Sequence, residues 1–124
     1  MNVLLIEPDK TLAGIITKMF ARKGYTTSWS TSAEDAIEKI DELKPDTIIL
    51  EIQLAKHNGV EFIHEARSYP DLCDIPIILY TSVSKQDLLI AEETLRALNI
   101  KKYLYKPFVS ISDLLNAVQQ VAVV

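Results

Sequence analysis

The stretch TIILE at residues 47–51 decides the fold of this chain. Four β-branched or aliphatic residues are followed directly by a glutamate. The run is too short for a helix. It also lacks the alternation of apolar and polar residues that a strand with one solvent-exposed face shows, so it predicts a strand buried on both faces. Residues 3–6 and 75–80 form two similar aliphatic runs and predict two more buried strands. Residues 26–29 and 102–105 add two β-type runs, of which the first has its aromatic residue between two serines and predicts an edge strand.

Between these runs lie stretches with the 3.6-residue period of a helix. The predicted apolar faces are Leu12, Ile15, Ile16, Met19 and Phe20; Ala33, Ala36, Ile37 and Ile40; Gly59, Phe62, Ile63 and Ala66; Leu88, Ala91, Leu95 and Leu98; and Ile111, Leu114, Leu115, Val118, Val121 and Ala122. Ser32 and Ser84 each precede an Asp by three residues, which predicts helix starts, and Asn99 predicts a left-handed end to the fourth helix. The order βαβαβαβαβα predicts an α/β fold with a parallel sheet and helices on both faces.

The composition limits what the chain can be. Its 124 residues suit one domain, which we take as residues 1–124, and 48% hydrophobic with 24% charged residues exclude general disorder. The net charge of −4 excludes a basic nucleic-acid footprint and argues against docking on an anionic membrane. The single Cys73 cannot form an internal disulfide, and the sequence has no zinc spacing and no apolar run of about 20 residues. Because an acid follows the first four apolar residues, we do not expect residues 1–7 to be a signal peptide. We therefore predict a cytoplasmic protein.

Polar side chains follow four of the five predicted strands. They are Glu7-Pro8-Asp9 after the first, Glu51 after the third, Thr81 and Ser82 after the fourth, and Lys106-Pro107-Phe108 after the fifth. In an open parallel sheet, sites form beyond the carboxyl ends of the strands, so we expect these groups to converge. Three carboxylates in one cleft need a cation or a proton, and an oxygen-rich site suits Mg²⁺. No Gly-rich loop follows the first strand, which argues against a dinucleotide or P-loop site.

Over the whole chain, these motifs resemble the receiver domain of bacterial two-component response regulators. The resemblance implies a doubly wound, flavodoxin-like (βα)5 fold with strand order 2-1-3-4-5. In that family an Asp pair after the first strand holds Mg²⁺, and an Asp at the end of the third strand accepts a phosphoryl group from a histidine kinase. Thr81 and Ser82 match the family's hydroxyl position and its small neighbour, and Tyr103 matches its aromatic switch position. Lys106 and Pro107 match its Lys followed by a cis-Pro.

Three positions depart from the family pattern and decide the predicted function. Glu51 stands where the phosphoacceptor Asp would be, Pro8 replaces the second acid, and Ala55 replaces the usual Pro of the acceptor loop. Asp9, one residue further on, is predicted to cap the first helix. We expect no cofactor; Glu7, Asp9 and Glu51 are the ligands that a residual Mg²⁺ would use. Phosphorylation adds a charge of about −1.5 to −2 where a Glu carries one, so any mimicry by Glu51 would be partial.

The residues leave several alternatives open. We expect Glu51 to pair with Lys106 or to bond to Thr81, either as a built-in mimic of phosphorylation or as a structural ion pair. For Glu7, we prefer a solvated turn carboxylate to a ligand of a residual cation. Thr81 and Ser82 are either switch hydroxyls or part of a turn that starts the fourth helix.

Four further side chains complete the sequence interpretation. Tyr103 should lie half-buried on the fifth strand, either as the switch aromatic that the resemblance implies or as an aromatic residue packed on the edge of the sheet. Cys73 has no neighbouring base that would make it a nucleophile. His57 and His64 are expected in a loop and on a helix face rather than as metal ligands.

We predict a degenerate receiver, or pseudo-receiver, that takes part in signal transduction and is not an enzyme. It would act by phosphorylation-independent contacts with a protein partner or a second copy of itself, without direct nucleic-acid or membrane partners. The family uses the surface of the fourth helix, fifth strand and fifth helix for such contacts, where the candidates are Gln86, Glu93, Arg96, Lys101, Tyr103 and Tyr105. The first alternative is a Mg²⁺-dependent phosphoacceptor with Glu51 as its nucleophile. The second is a flavodoxin-like cofactor binder, against which the missing phosphate loop counts.

Overall fold

A computed structural model of the chain describes residues 1–54 and 58–122; Ala55 and His57, which the sequence interpretation used, lie outside them. The strands are β1 (Asn2–Ile6), β2 (Thr26–Ser30), β3 (Thr47–Leu50), β4 (Ile77–Thr81) and β5 (Ile100–Tyr105). The helices are α1 (Lys10–Ala21), α2 (Ala33–Leu43), α3 (Gly59–Ser68), α4 (Lys85–Leu88), α5 (Glu92–Ala97) and α6 (Ile111–Ala122). A short 3₁₀ turn covers Lys106–Phe108.

The five strands form one parallel sheet in the order β2-β1-β3-β4-β5, which confirms the predicted fold class. β3 lies at the centre, where Ile49 pairs with Leu5 of β1 on one side and with Ile78 of β4 on the other. β2 lies at an edge, as its polar run predicts. Because all strands run the same way, their carboxyl ends meet at one edge, which we call the carboxyl edge of the sheet.

Helices cover both faces of the sheet. The helices α2, α3 and α5 pack on one face, where the strands contribute Leu4, Ile48 and Ile77. The helices α1 and α6 pack on the other face, where the strands contribute Leu5 and Ile49. Successive strand residues thus belong to opposite clusters, as the two-residue period of a strand requires. This is why the aliphatic runs of the central strands have no polar interruption.

The predicted fourth helix is two short helices, so that prediction was wrong. The first of them ends at Leu88, Leu89 adopts a left-handed conformation with φ 57°, and α5 begins only at Glu92. A continuous helix would place residues 88 and 90 about 200° apart around its axis, so only one of them could face the sheet. The break lets both Leu88 and Ile90 pack against the core.

The buried face of α1 matches the predicted one except at Ile15, because Leu12 and Met19 also pack against the cluster that contains Ile16 and Phe20. Ala13, Ile16 and Phe20 are buried, whereas Ile15 is 47% exposed. Ile16 and Phe20 hold the centre of the buried stripe, and Ile15 lies about 100° to one side of it. A 3.6-residue pattern of apolar residues does not by itself show how far the buried stripe extends around the helix.

The predicted helix ends are present. The side chains of Ser32 and Ser84 accept hydrogen bonds from the N–H groups three residues on, and Asn99 has φ 59° after α5. In the part of the chain that the structure describes, no helix has the length and apolar character needed to cross a bilayer.

Candidate functional site

The carboxyl edge of the sheet brings together charged residues that follow three different strands. Glu7 and Glu51 continue the neighbouring strands β1 and β3, and the N–H of Glu51 donates to the carbonyl of Ile6 (3.0 Å). Lys106 follows β5, and its Nζ lies 2.7 Å from Oε1 of Glu7 and 2.8 Å from Oε1 of Glu51. The two glutamates are only 2% and 3% exposed. One ammonium therefore joins two buried carboxylates, an arrangement that we call the Glu7–Lys106–Glu51 bridge.

Both carboxylate oxygens of Glu51 are held by donors of the chain itself. Oε1 accepts from Nζ of Lys106 and from the N–H of Ser82 (3.1 Å). Oε2 accepts from the hydroxyl of Thr81 and from the N–H of Gln53 (3.1 Å). The Ser82 hydroxyl lies 3.1 Å from Oε1 of both Glu51 and Gln53, and its single proton serves one of them at a time. The carboxylate thus has little lone-pair capacity left for a metal or an incoming group.

Glu7 is buried, so the expectation of a solvated turn carboxylate was wrong. Its Oε2 accepts from the N–H of Asp9 (3.1 Å), and its backbone carbonyl accepts from Nε1 of Trp29 (2.7 Å). Trp29 comes from the neighbouring strand β2, and Lys106 lies 99 residues along the chain from Glu7. The burial therefore results from the strand order, and no local spacing in the sequence predicts it.

The bridge moves the pKa values of its two acids in opposite directions. Burial raises the pKa of Glu7 above its ordinary 4.5, and hydrogen bonds from Lys106 and the Asp9 N–H offset only part of this. Burial acts the same way on Glu51, but bonds from Lys106, Thr81 and two backbone N–H groups outweigh it, so the pKa of Glu51 lies below 4.5. Burial lowers the pKa of Lys106, yet its bonds to both carboxylates raise it above 10.5 overall. Glu51 and Lys106 are therefore both ionised at neutral pH.

The residues after β1 do not fit the Mg²⁺ that the receiver pattern implies. Pro8 offers no side-chain ligand. Oδ1 of Asp9 accepts from the N–H of Leu12 (3.1 Å), so this carboxylate caps α1 as predicted. Among residues 1–54 and 58–122, no three His, Cys, Asp or Glu side chains lie close enough to share a metal ion. The ammonium of Lys106 instead supplies the positive charge that the two glutamates need.

Thr81 and Tyr103 extend the site toward the surface. The hydroxyl of Thr81 donates to Glu51 and accepts from the N–H of Val83 (3.1 Å), so it serves both the contact and the turn that the sequence left open. Tyr103 is half-buried, and its hydroxyl donates to the carbonyl of Val83 (2.6 Å). Burial and the nearby charges of Glu51 and Asp87 raise the pKa of Tyr103 to about 12, so the phenol keeps its proton at neutral pH. A hydrogen-bonded path thus connects Glu51 with the aromatic position.

The residues after β5 form a 3₁₀ turn rather than the geometry that the family pattern implies. The described residues contain no cis peptide bond, so the bond between Lys106 and Pro107 is trans. Phe108 is 84% exposed, and its ring meets that of Tyr105 edge to face at 5.3 Å.

The resemblance placed Asn58-Gly59 in a turn and the helical period placed Gly59 on a helix face, but sequence reasoning missed the close approach of Gly59 to the end of β3. The N–H of Gly59 donates to the carbonyl of Ile52 (2.6 Å). A Cβ at this position would lie 2.8 Å from Cα of Ile52 and 3.1 Å from the carbonyl oxygen of Glu51, so only glycine lets α3 start this close to the end of β3. The preceding Asn58, which caps α3, was the available sequence signal for a tight turn here.

The fold and the site define a doubly wound α/β domain with a charged site at the carboxyl edge of its sheet, beside the reversal of strand order at β1 and β3. The family model of the response regulator receiver domain matches residues 3–119. The chain therefore belongs to the response regulator receiver domain family of two-component signalling.

Curated relatives with this domain are longer proteins. Probable C4-dicarboxylate response regulator DctR of Halalkalibacterium halodurans is 33% identical over 111 residues, which cover 87% of this chain and 46% of that protein. Transcriptional regulatory protein PdtaR of Mycobacterium tuberculosis is 29% identical over 119 residues, which cover 95% and 55%. Protein Rrf1 of Nitratidesulfovibrio vulgaris is 24% identical over 89 residues, which cover 72% and 64%. The chain thus spans less than two thirds of the length of each relative.

Solved structures share the fold over nearly the whole chain. A sensor protein from Polaromonas sp. JS666 has a TM-score of 0.86 at 20% identity, with 98% of this chain and 94% of that chain covered. Chemotaxis protein CheY4 of Vibrio cholerae has a TM-score of 0.84 at 21% identity, with 97% of each chain covered. At these identities the likeness establishes the fold alone.

Proposed function

We propose that this chain is a pseudo-receiver that signals by phosphorylation-independent contacts with a protein partner and catalyses no reaction. In this proposal, Glu51 stands permanently at the position where the family pattern places a phosphoacceptor Asp. One observation carries the proposal: the carboxylate of Glu51 is already bound by Lys106, Thr81 and the N–H groups of Gln53 and Ser82.

These bonds make Glu51 a poor nucleophile. A carboxylate attacks a phosphoryl group through a free lone pair, and the family pattern relies on a bound cation to neutralise the developing charge. Lone pairs on both oxygens of Glu51 are engaged, and the residues beside it do not fit Mg²⁺. Interactions that stabilise the unreacted carboxylate raise the barrier to its reaction. Phosphorylation of Glu51 is therefore not part of the proposed function.

The same bonds favour a partial mimic of the phosphorylated state over a purely structural ion pair. Thr81 and Lys106 match the family's hydroxyl and ammonium, and both contact Glu51. The N–H of Val83 donates to the hydroxyl of Thr81, and the hydroxyl of Tyr103 donates to the carbonyl of Val83. These hydrogen bonds couple the position of the Glu51 carboxylate to that of Tyr103. We infer that Glu51 holds Tyr103 in one orientation without a phosphoryl signal.

The proposed partner surface is formed by α4, α5, β5 and α6. Gln86, Glu93, Arg96 and Lys101 are exposed there, and Leu89, which is 88% exposed, adds an apolar side chain among them. Contact surfaces between proteins combine an apolar centre with a polar rim, and this surface offers side chains of both kinds.

The test is intact-mass spectrometry after incubation with Mg²⁺ and acetyl phosphate. We expect no phosphoryl adduct on the wild-type chain. The matched variant Pro8→Asp/Glu51→Asp restores both acids of the family pattern, and we expect it to acquire an adduct. A receiver with the usual Asp serves as the positive control.

Two results would contradict the proposal. An adduct on wild-type protein that maps to Glu51 or Asp9 would make the chain a Mg²⁺-dependent phosphoacceptor with unusual ligands. If Pro8→Asp/Glu51→Asp is folded and still unlabelled, the loss of the two acids is not what separates this chain from a phosphoacceptor.

A further inference from the structure

Charge is distributed unevenly over the molecule. Residues 33–44 and 59–68, which contain α2 and α3, hold seven acidic and three basic side chains, whereas the rest of the chain holds ten of each. The whole net charge of −4 therefore resides on these two helices and the residue after the first of them.

The helices α2 and α3 enclose a groove of about 440 Å³. Its apolar lining comes from Ala33, Ile37 and Phe62. Glu38 of α2 and Glu65 of α3 also line it, and both are exposed. Two further lining residues, Glu34 and Glu61, each already interact with another group, so the inference rests on Glu38 and Glu65. The groove thus combines apolar surface with two available negative charges.

The exposed face of α1 has the complementary character. Residues 10–23 hold four basic side chains and no acidic one. Ile15, Lys18 and Arg22 follow one another at spacings of three and four residues, so they lie in one stripe along the helix, and all three are exposed. This stripe carries an apolar side chain followed by two positive charges, which is the pattern that the groove would accept.

We propose that α1 of one molecule docks into the groove between α2 and α3 of a second copy, with Lys18 and Arg22 facing Glu38 and Glu65. The two surfaces pack on opposite faces of the sheet, so a molecule cannot fill its own groove. The contact is heterologous and leaves one free stripe and one free groove on every pair, so assemblies grow with concentration unless a ring closes. This inference does not depend on the proposed function.

The test is sedimentation velocity of the full chain over a range of concentrations. We expect self-association at about 0.05 M salt, with a dissociation constant roughly tenfold higher at about 0.5 M salt, because exposed charge pairs are screened. A sedimentation coefficient that is independent of protein concentration at the lower salt would overturn the proposal.

Charge reversal separates this contact from general charge repulsion. Each reversal changes the net charge by two, so Glu38→Lys/Glu65→Lys takes it from −4 to zero and Lys18→Glu/Arg22→Glu takes it to −8. We expect both variants to associate at least about tenfold more weakly, and an equimolar mixture of the two to associate again. Asp71→Lys changes an exposed acid in the loop before β4 and should associate like the wild type.

Several outcomes would contradict the contact. Stronger association of Glu38→Lys/Glu65→Lys would show that net charge alone controls assembly, and association that survives in both double variants would place the interface elsewhere. Thermal unfolding checks that each variant is folded, and Lys18→Gln/Arg22→Gln repeats the test without adding negative charge to α1. A mixture of folded variants that stays monomeric would also overturn the proposal.

Discussion

The side chain of Glu51 is one methylene longer than the aspartate of the family pattern, and its carboxylate lies among Lys106, Thr81 and the N–H of Ser82. Each of these groups donates to it, so the pocket is complementary to a negatively charged acceptor. The negative charge of Glu51, at the centre of the site, is therefore already neutralised by groups of the chain itself.

Replacing Glu51 by Gln should lower the free energy of unfolding by about 2 kcal/mol at neutral pH. An amide has one oxygen, so its NH₂ group must face donors on one side of the pocket. Glu7→Gln should cost less, because burial already disfavours the charged form of Glu7 and the amide oxygen can still accept from Lys106. Urea unfolding followed by circular dichroism measures both variants, and an equal loss for the two would contradict this assignment.

The two glutamates should also act oppositely on the pH dependence of stability. The pKa of Glu51 is lowered on folding, so its contribution is complete above its ordinary value of 4.5 and is lost as the pH falls through the folded pKa. The pKa of Glu7 is raised, so its contribution is complete below 4.5 and is lost as the pH rises through its folded pKa. We expect Glu51→Gln to flatten the loss of stability in acid and Glu7→Gln to steepen it, as measured by urea unfolding between about pH 3 and 7.

At the scale of elements, close approaches and breaks in the chain position the site. The start of α3 lies against the end of β3 because residue 59 has no side chain, and the fourth helical segment is interrupted so that Leu88 and Ile90 both reach the core. Neither feature is visible in the hydrophobic periodicity of its own segment, because both depend on the residues of other segments that pack against it.

Two glycine substitutions should have opposite effects. Gly59→Ala should lower the free energy of unfolding by about 2 kcal/mol, because its Cβ would lie 2.8 Å from the backbone of Ile52 and the backbone must shift. Gly14→Ala in α1 should raise it by about 1 kcal/mol, because its Cβ meets nothing within 4 Å and Ala favours a helix. Thermal unfolding of the two variants, side by side, measures the difference, and a similar shift in both would refute the close approach.

Leu89 offers a test of the helix break. Leucine in the left-handed region costs about 1 kcal/mol, and Asn tolerates this conformation better. Leu89→Asn should therefore raise the free energy of unfolding by about 0.5 kcal/mol. Leu88→Asn, which puts the same amide against the core, should lower it by about 2 kcal/mol. Denaturant unfolding of both variants distinguishes this geometry from a continuous helix, in which Asn at residue 89 would bring no gain.

At the scale of the whole molecule, one sheet serves two apolar clusters. The strands β1, β3 and β4 contribute alternate residues to the cluster under α2 and α3 and to the cluster under α1 and α6. The Glu7–Lys106–Glu51 bridge adds a connection between both ends of the chain. Because both clusters are built on the same strands, separation of the strands in one cluster would also expose the other.

Unfolding should consequently be a single cooperative transition. Trp29 is the only tryptophan of the chain and lies on the edge strand, packed beside the cluster under α1. We expect its fluorescence and the far-ultraviolet circular dichroism to change at the same urea concentration. An earlier change in Trp29 fluorescence would show that the edge strand detaches independently.

Local sequence patterns are enough to predict the fold class, the edge position of β2 and the helix caps. Strand burial and helix faces are encoded as local periods of two and 3.6 residues, and a cap such as Asp9 acts within three residues of its own position. The contact between Glu51 and Lys106 could also be predicted from the sequence, because the carboxyl ends of parallel strands lie at one edge of the sheet.

Three features depend instead on contacts between distant segments: the burial of Glu7, the break at Leu89 and the exposure of Ile15. Burial of a carboxylate depends on which side chains cover it, and those of Glu7 come from β2 and from a residue 99 positions away. The exposure of Ile15 and the interruption after α4 depend on how many apolar side chains the sheet can receive at once. These outcomes are set by packing between distant segments, which a local pattern does not contain.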